Sequence, residues 1–240
     1  MNNLQDIFTR KHLGAKAPAA ESVDNRRERI FRKIFLIEPC EHGSAGYASL
    51  TMNVVESPPV PLRAQLWPLT PAAYHVLGEA GLIPKNTELL YGFVCTKMSK
   101  SPLHSALIRR LSRLLKQVLP PGYFVDSEQP IACGDSEPEP DLAVIRGAEE
   151  DFWSQHPNTA EIVVEGCVTS YDYDRAKLRA YATAGVKECW LVLGPDKQIE
   201  VYRQPKDGQF TEHALYGPEG ILASWVMPNL TIPMESIFAK

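Results

Sequence analysis

EPEPDLAVI (Glu137–Ile145), AEIVVEG (Ala160–Gly166) and DRAKLRAYATAGVKECWLVL (Asp174–Leu193) decide how this chain is read. Asp141 follows a stiff Pro-rich run and heads Leu142-Ala143-Val144-Ile145, a short apolar stretch stopped by Arg146-Gly147, which predicts a buried strand with a carboxylate at its end. Ile162-Val163-Val164 predicts a second buried strand, running directly into Glu165. An acid in so apolar a segment needs a cation. A helix is expected from Asp172 to Ala184, with acids in its first turn and Gly185 just past its end. Its inward stripe of Tyr173, Ala176, Ala180, Tyr181 and Ala184 also contains Lys177, an unusual residue among packed neighbours. Glu188-Cys189-Trp190-Leu191-Val192-Leu193 then returns as a strand.

The order strand, strand, helix, strand brings two acids and a lysine toward one sheet edge. Hard divalent cations take carboxylate oxygens, and an ammonium neutralises a transferring phosphoryl group or positions a water, so this trio points to phosphodiester hydrolysis. Taken singly, each residue has an ordinary alternative: strand-end carboxylates, and a lysine reaching water past Tyr173 and Tyr181.

These stretches resemble the Uma2 family of restriction endonucleases within the PD-(D/E)XK nuclease superfamily, over roughly residues 66 to 238. There a Pro-Asp pair precedes a strand, a Glu ends the next strand, and the lysine lies on the following helix. Asp141, Glu165 and Lys177 match those positions. Tyr181, Gly185, Val186, Glu188 and Trp190 match the helix end and returning strand, and Tyr181 joins the candidate site residues. After its Glu the family usually continues with Val, an aliphatic residue and Ser-Pro, whereas this chain has Gly166-Cys167-Val168-Thr169.

The resemblance implies a mixed α/β, restriction-endonuclease-like core and a metal-dependent DNA endonuclease using Mg²⁺ or Mn²⁺. Asp141, Glu165 and Lys177 are the catalytic candidates, with Asp141 and Glu165 as metal ligands. Glu88 matches an early family acid and is a further metal candidate, directly or through water; pairing with a surface cation is its alternative. His104 matches a family histidine and is a candidate for phosphate binding or the catalytic edge, with a structural role as its alternative. The Gly166-Cys167 departure motivates a second reading, an inactive nuclease-fold protein that binds nucleic acid or a protein partner. A third is a hydrolase of smaller phosphate esters. Cutting a duplex needs two sites, so a homodimer is expected.

The rest of the chain sets the frame. Its 240 residues are 44% hydrophobic with a net charge of −4, enough for one sizeable core. The five cysteines are scattered without a Cys-x-x-Cys pair, which argues against a zinc site or disulfide framework and for a reducing cytoplasm. No apolar run approaches a membrane span. No glycine-rich nucleotide loop, His-x-x-x-His pair or Gly-x-Ser-x-Gly elbow is present, which removes kinase, zinc-peptidase and serine-hydrolase readings.

Residues 1–60 read as an N-terminal extension, partly disordered, with basic residues around Arg26–Lys33 and a Pro-rich linker at its end; residues 61–240 read as the nuclease domain. Within it, Thr70-Pro71 starts a short helix and Tyr91-Gly92 turns a hairpin. Ser101-Pro102 opens a long amphipathic helix to Leu119, whose Arg109, Arg110, Arg113 and Lys116 line the outer face. A strand is expected across Tyr123–Ile131, interrupted at Asp126–Glu128. A hairpin at Lys206-Asp207-Gly208 and the closing segment to Phe238 are expected to extend the sheet. Residues 61–240 hold 17 Lys+Arg against 22 Asp+Glu, an acidic balance for a DNA-binding domain, which Arg109, Arg175, Arg179 and Lys187 would offset locally.

Overall fold

A computed structural model describes residues 67–239. The readings of residues 1–60, including the basic stretch and the linker, lie outside the described residues.

Helix α1 (Pro71–Glu79) starts where Thr70 accepts a hydrogen bond from the Ala73 N–H at 3.2 Å, with Pro at the first helical position. Strands β1 (Thr87–Leu90) and β2 (Phe93–Thr96) form an antiparallel hairpin, turned by Tyr91 and Gly92 with φ of 54° and 77°. Both angles are left-handed, as a two-residue hairpin loop with the right twist requires. A side chain at Gly92 would also collide with Pro68, whose Cβ lies 2.3 Å from the position a Cβ would take. Helix α2 (Pro102–Val118) is capped by Ser101, which accepts from the His104 N–H at 3.2 Å, and stops before Pro120-Pro121.

The centre is a six-stranded mixed sheet in the order β3 (Tyr123–Asp126), β4 (Leu142–Arg146), β5 (Ile162–Cys167), β6 (Glu188–Leu193), β7 (Gln198–Lys206) and β8 (Gln209–Tyr216). Only β5 and β6 run parallel, joined by helix α3 (Tyr171–Thr183). The mixed α/β architecture expected from the sequence is the one observed.

Alternation along the buried strands divides the core. Leu142, Val144, Ile162, Val164, Trp190 and Val192 pack with Leu107, Leu111 and Leu115 of α2. Ala143, Ile145, Val163, Cys189 and Leu191 face Ala180 and Tyr181 of α3. Because side chains alternate with period two, Glu165 shares a face with Val163 and looks toward α3, while Gly166 looks toward α2.

Two expectations about the sheet are corrected. The interrupted strand ends at Asp126; Glu128 adopts φ 57°, and Ile131 is a buried loop residue whose N–H donates to the Pro138 carbonyl. The closing segment does not lengthen the main sheet. Strands β9 (Ile221–Ala223) and β10 (Thr231–Pro233) pair with each other. With helix α4 (Met234–Phe238) they press Leu222, Leu230, Ile232, Met234 and Ile237 into the core beside α2. Arg110 belongs to that docking and not to an open basic face, since it donates to the carbonyls of Ile237 (3.1 Å) and Ala239. Among the described residues, no helix is long and apolar enough to cross a membrane.

Candidate active site

At the ends of β4 and β5, beside the start of α2 and the first turns of α3, a cleft of about 380 Å³ is lined by Glu88, Lys100, His104, Asp141, Glu165 and Lys177, among others. The six side chains come from five segments, Lys100 and His104 sharing the start of α2. The structure therefore brings together every sequence-predicted candidate, with Tyr181 directly behind.

Lys177 is the hub. Its side chain is 5% exposed, and its Nζ lies 3.0 Å from Glu88 Oε1, 3.2 Å from Glu165 Oε1 and 3.9 Å from Asp174 Oδ1. Burial alone would drive a lysine toward its neutral form, but Glu165, Glu88 and Asp174 outweigh it and hold the ammonium charged well above the ordinary lysine range. The side chain does not snorkel to water.

Glu165 suffers the reverse. Burial pushes its carboxyl well above the usual range; Lys177 pulls it back, and the neighbouring Asp174, Asp141 and Glu88 push it up again. Its Oε1 accepts from Tyr181 Oη at 2.6 Å and lies 3.2 Å from the Lys177 ammonium. Asp174, buried and bonded by Ser170 Oγ at 2.6 Å, is raised to about 6 by burial, against the pull of Lys177. Three carboxylates thus share one ammonium, and the unbalanced charge favours a further cation.

Asp141 has a different environment. Its Oδ2 accepts from the Gly166 N–H at 2.8 Å and from His104 Nε2 at 2.9 Å. A carboxylate only accepts, so His104 carries its proton on Nε2. Burial raises this carboxyl, but the His104 hydrogen bond and the Gly166 amide outweigh it and leave Asp141 below the ordinary carboxylate range. Asp141 is thereby held ionised.

Gly166 has a specific task. A Cβ there would stand 2.9 Å from His104 Cδ2 and Nε2 and 3.1 Å from Ile108 Cδ1, so any side chain would force the imidazole off Asp141. The strand around it is regular, paired in register with β6 at Val192. The departure from the family pattern admits a ring and does not loosen the strand.

Among the described residues, no group of three or more His, Cys, Asp or Glu side chains is arranged to cage an ion. The pair Asp141 and Glu165 suits a different mode, in which Mg²⁺ keeps several waters and takes one or two carboxylates plus substrate phosphate oxygens. Asp141 Oδ1 and Glu165 Oε2 accept no hydrogen bond from the described residues, whereas each partner oxygen is occupied. Chemically, the donor set fits a hard divalent ion. Glu88 fits it poorly: Oε1 is taken by Lys177 and by Tyr173 Oη at 2.5 Å, and Oε2 accepts from the Glu139 N–H at 2.8 Å. Its partner is Lys177, a buried cation and not the surface one weighed for it in the sequence.

A model of the Uma2 family, described as "Putative restriction endonuclease", matches residues 83–235. The chain belongs to the Uma2 family. Its fold is similar to the crystal structure of a "putative nuclease belonging to DUF820" from Anabaena variabilis ATCC 29413, with a TM-score of 0.58 and 18% identity over 68% of this chain and 97% of that one. At that identity the likeness speaks for the fold. No curated protein matches the sequence.

Three contributors to this Uma2 cleft were not read from the sequence. Asp174 passed as an acid complementing the helix dipole, and its burial depends on where α3 packs. Tyr173 was counted only as packing, yet its hydroxyl bonds Glu88. Lys100 drew no reading at all; only its position just before the Ser101 cap could have drawn attention to it. The local basic surface also shrinks: Arg175 is held by Tyr202 (2.8 Å) and Lys187 by Glu161 (2.6 Å).

Proposed function

We propose that this Uma2 chain is a metal-dependent DNA endonuclease, hydrolysing phosphodiester bonds with Asp141 and Glu165 as ligands of Mg²⁺ or Mn²⁺ and Lys177 as the catalytic ammonium. The observation that carries the proposal is the meeting of Asp141, Glu165 and Lys177 in one cleft from three separate segments, each acid keeping one oxygen without a hydrogen bond from the described residues. When bound, the divalent ion would supply an acidified water and positive charge at the scissile phosphate. Asp141, held ionised by His104 and Gly166, offers Oδ1 to the ion, and Glu165 offers Oε2. Lys177 stays protonated between Glu88 and Glu165, ready to stabilise charge on the phosphoryl oxygens or to orient the attacking water. Tyr181 and Glu88 act through Glu165 and Lys177 and are positioning residues.

Supercoiled plasmid incubated with Mg²⁺ or Mn²⁺ tests this reading. Wild-type protein should nick and linearise it, and Asp141→Ala and Lys177→Ala, purified identically, should each lose at least about a hundredfold in rate. An inert wild type across metals, duplex, single-stranded DNA and RNA would move the assignment to a nuclease-fold binding protein. Gly166, which motivated that alternative in the sequence, no longer favours it, because His104 fills the space the glycine leaves.

A further inference from the structure

Lys100 stands where a metal would compete with it. Its Nζ lies 2.6 Å from Glu128 Oε1 and 3.9 Å from Asp141 Oδ1, the one oxygen of Asp141 that neither His104 nor Gly166 engages. The two contacts differ in kind. At 2.6 Å the ammonium is in direct ion-pair contact with Glu128, while at 3.9 Å it only leans toward Asp141. Glu128 in turn is fixed against the residue preceding Asp141, its N–H donating to the Pro140 carbonyl at 3.1 Å. Lys100 also precedes the Ser101 cap of α2, so one short segment supplies His104 to one oxygen of Asp141 and Lys100 to the other. Its side chain is 39% exposed.

We propose that Lys100 is a tethered counterion that exchanges with the divalent ion. Without metal its ammonium neutralises Asp141. When the ion takes Oδ1, Lys100 is repelled from Asp141, keeps Glu128 as its anchor, and turns its charge to a phosphate of the bound strand. The exchange couples substrate contact to metal loading, since Lys100 is available to the strand only once Asp141 is occupied. This inference rests on the proposal that Asp141 binds the metal.

Mn²⁺ titration followed by the electron paramagnetic resonance of the free ion tests the exchange without any catalytic readout. Lys100→Met should bind Mn²⁺ about two- to fivefold more tightly than wild type, the range of a partly exposed ion pair removed from competition. Lys97→Met, which removes an equal charge from the same cleft but one paired with Glu139, should change the affinity by less. Duplex binding measured with and without Ca²⁺ supplies the second arm: Lys100→Met should weaken binding with Ca²⁺ present and leave it nearly unchanged without. Mn²⁺ affinity equal in wild type and Lys100→Met, or no different from Lys97→Met, overturns the exchange while leaving the nuclease reading intact. Equal losses of duplex affinity with and without Ca²⁺ overturn the coupling. Absence of any Asp141-dependent Mn²⁺ binding in wild type overturns both the exchange and the metal-site reading beneath it.

Discussion

Two glutamates, Glu165 and Glu188, sit buried on the adjacent parallel strands β5 and β6, 2% and 0% exposed, and the protein treats them in opposite ways. Glu188 is fully satisfied. Its Oε1 accepts from Trp190 Nε1 (3.0 Å) and Arg203 Nε (3.2 Å), and its Oε2 from Ser224 Oγ (2.8 Å) and the Trp225 N–H (3.0 Å). Donors from β6, β7 and the loop after β9 close around it, and Arg203 reaches on to the Ala223 carbonyl. Glu165 instead shares one ammonium with Glu88 and Asp174, and among the described residues only one of its oxygens is bonded. Glu188 has collected donors until its charge is met, whereas Glu165, the acid proposed for the metal, is left short of them. Depth of burial does not separate the two, and the partners do.

The sharpest break of this comparison is in activity. Glu165→Gln should lower the cleavage rate by about a thousandfold or more, about 4 kcal/mol of barrier, with no loss of thermal stability, because an uncharged side chain of the same shape relieves the excess of carboxylates. Rates normalised to folded protein, alongside melting curves, check it. A variant that cleaves normally, or one that fails to fold, would place Glu165 with the structural acids. Next in size is the converse. Glu188→Ala strands Arg203, whose side chain is only 16% exposed, and removes four hydrogen-bond acceptances, so it should cost about 3–5 kcal/mol of stability. Chemical denaturation reads that loss directly, while Mn²⁺ binding at the distant cleft should persist in the folded fraction. A stability change below about 1 kcal/mol would mean that the satisfied acid is dispensable.

The same contrast explains what could be read in advance. Asp141, Glu165 and Lys177 were legible because each violated its local pattern: an acid heading a strand, an acid inside an apolar run, a lysine on a packing stripe. The mixed sheet, α2 and α3 followed from apolar runs bounded by Pro and Gly, and the Tyr91-Gly92 and Asp207-Gly208 turns from the glycine that closes each of them at positive φ. Glu188 carried the same sequence signal as Glu165, a glutamate beside an apolar strand, and its partners Arg203, Ser224 and Trp225 lie 15 to 37 residues away. No local pattern announces such a set. For the same reason Asp174 and Lys100 went unread, and the closing hairpin was assigned to the main sheet: its alternating apolar residues demand a covered face but do not say which strand pairs with which.

The smallest effect is the most diagnostic of the cleft's excess charge, and it lies in pH. Asp174 is raised to about 6 in the fold from an ordinary 3.8. The native state therefore holds this proton more tightly than the unfolded chain does. Below about pH 4 the carboxyl is protonated in both states and contributes its full stability; as pH rises through 6 that contribution is lost, on the order of 2–3 kcal/mol in all. Glu165, also raised, adds in the same direction, whereas Asp141, lowered by His104 and Gly166, stabilises the fold above its ordinary range and loses that on acidification. Asp174→Asn should thus gain stability over wild type at pH 7.5, keep most of that gain down to about pH 6 and lose it toward about pH 4, with the midpoint of the difference near about 5, between the unfolded and folded values. Melting curves of the two proteins across that range, without added metal, measure the difference, and saturating Mn²⁺ should shrink it by supplying the positive charge the cleft lacks. A difference flat in pH would mean that Asp174 is as well satisfied as Glu188, and the contrast between the two ends of the sheet would then rest on Glu165 alone.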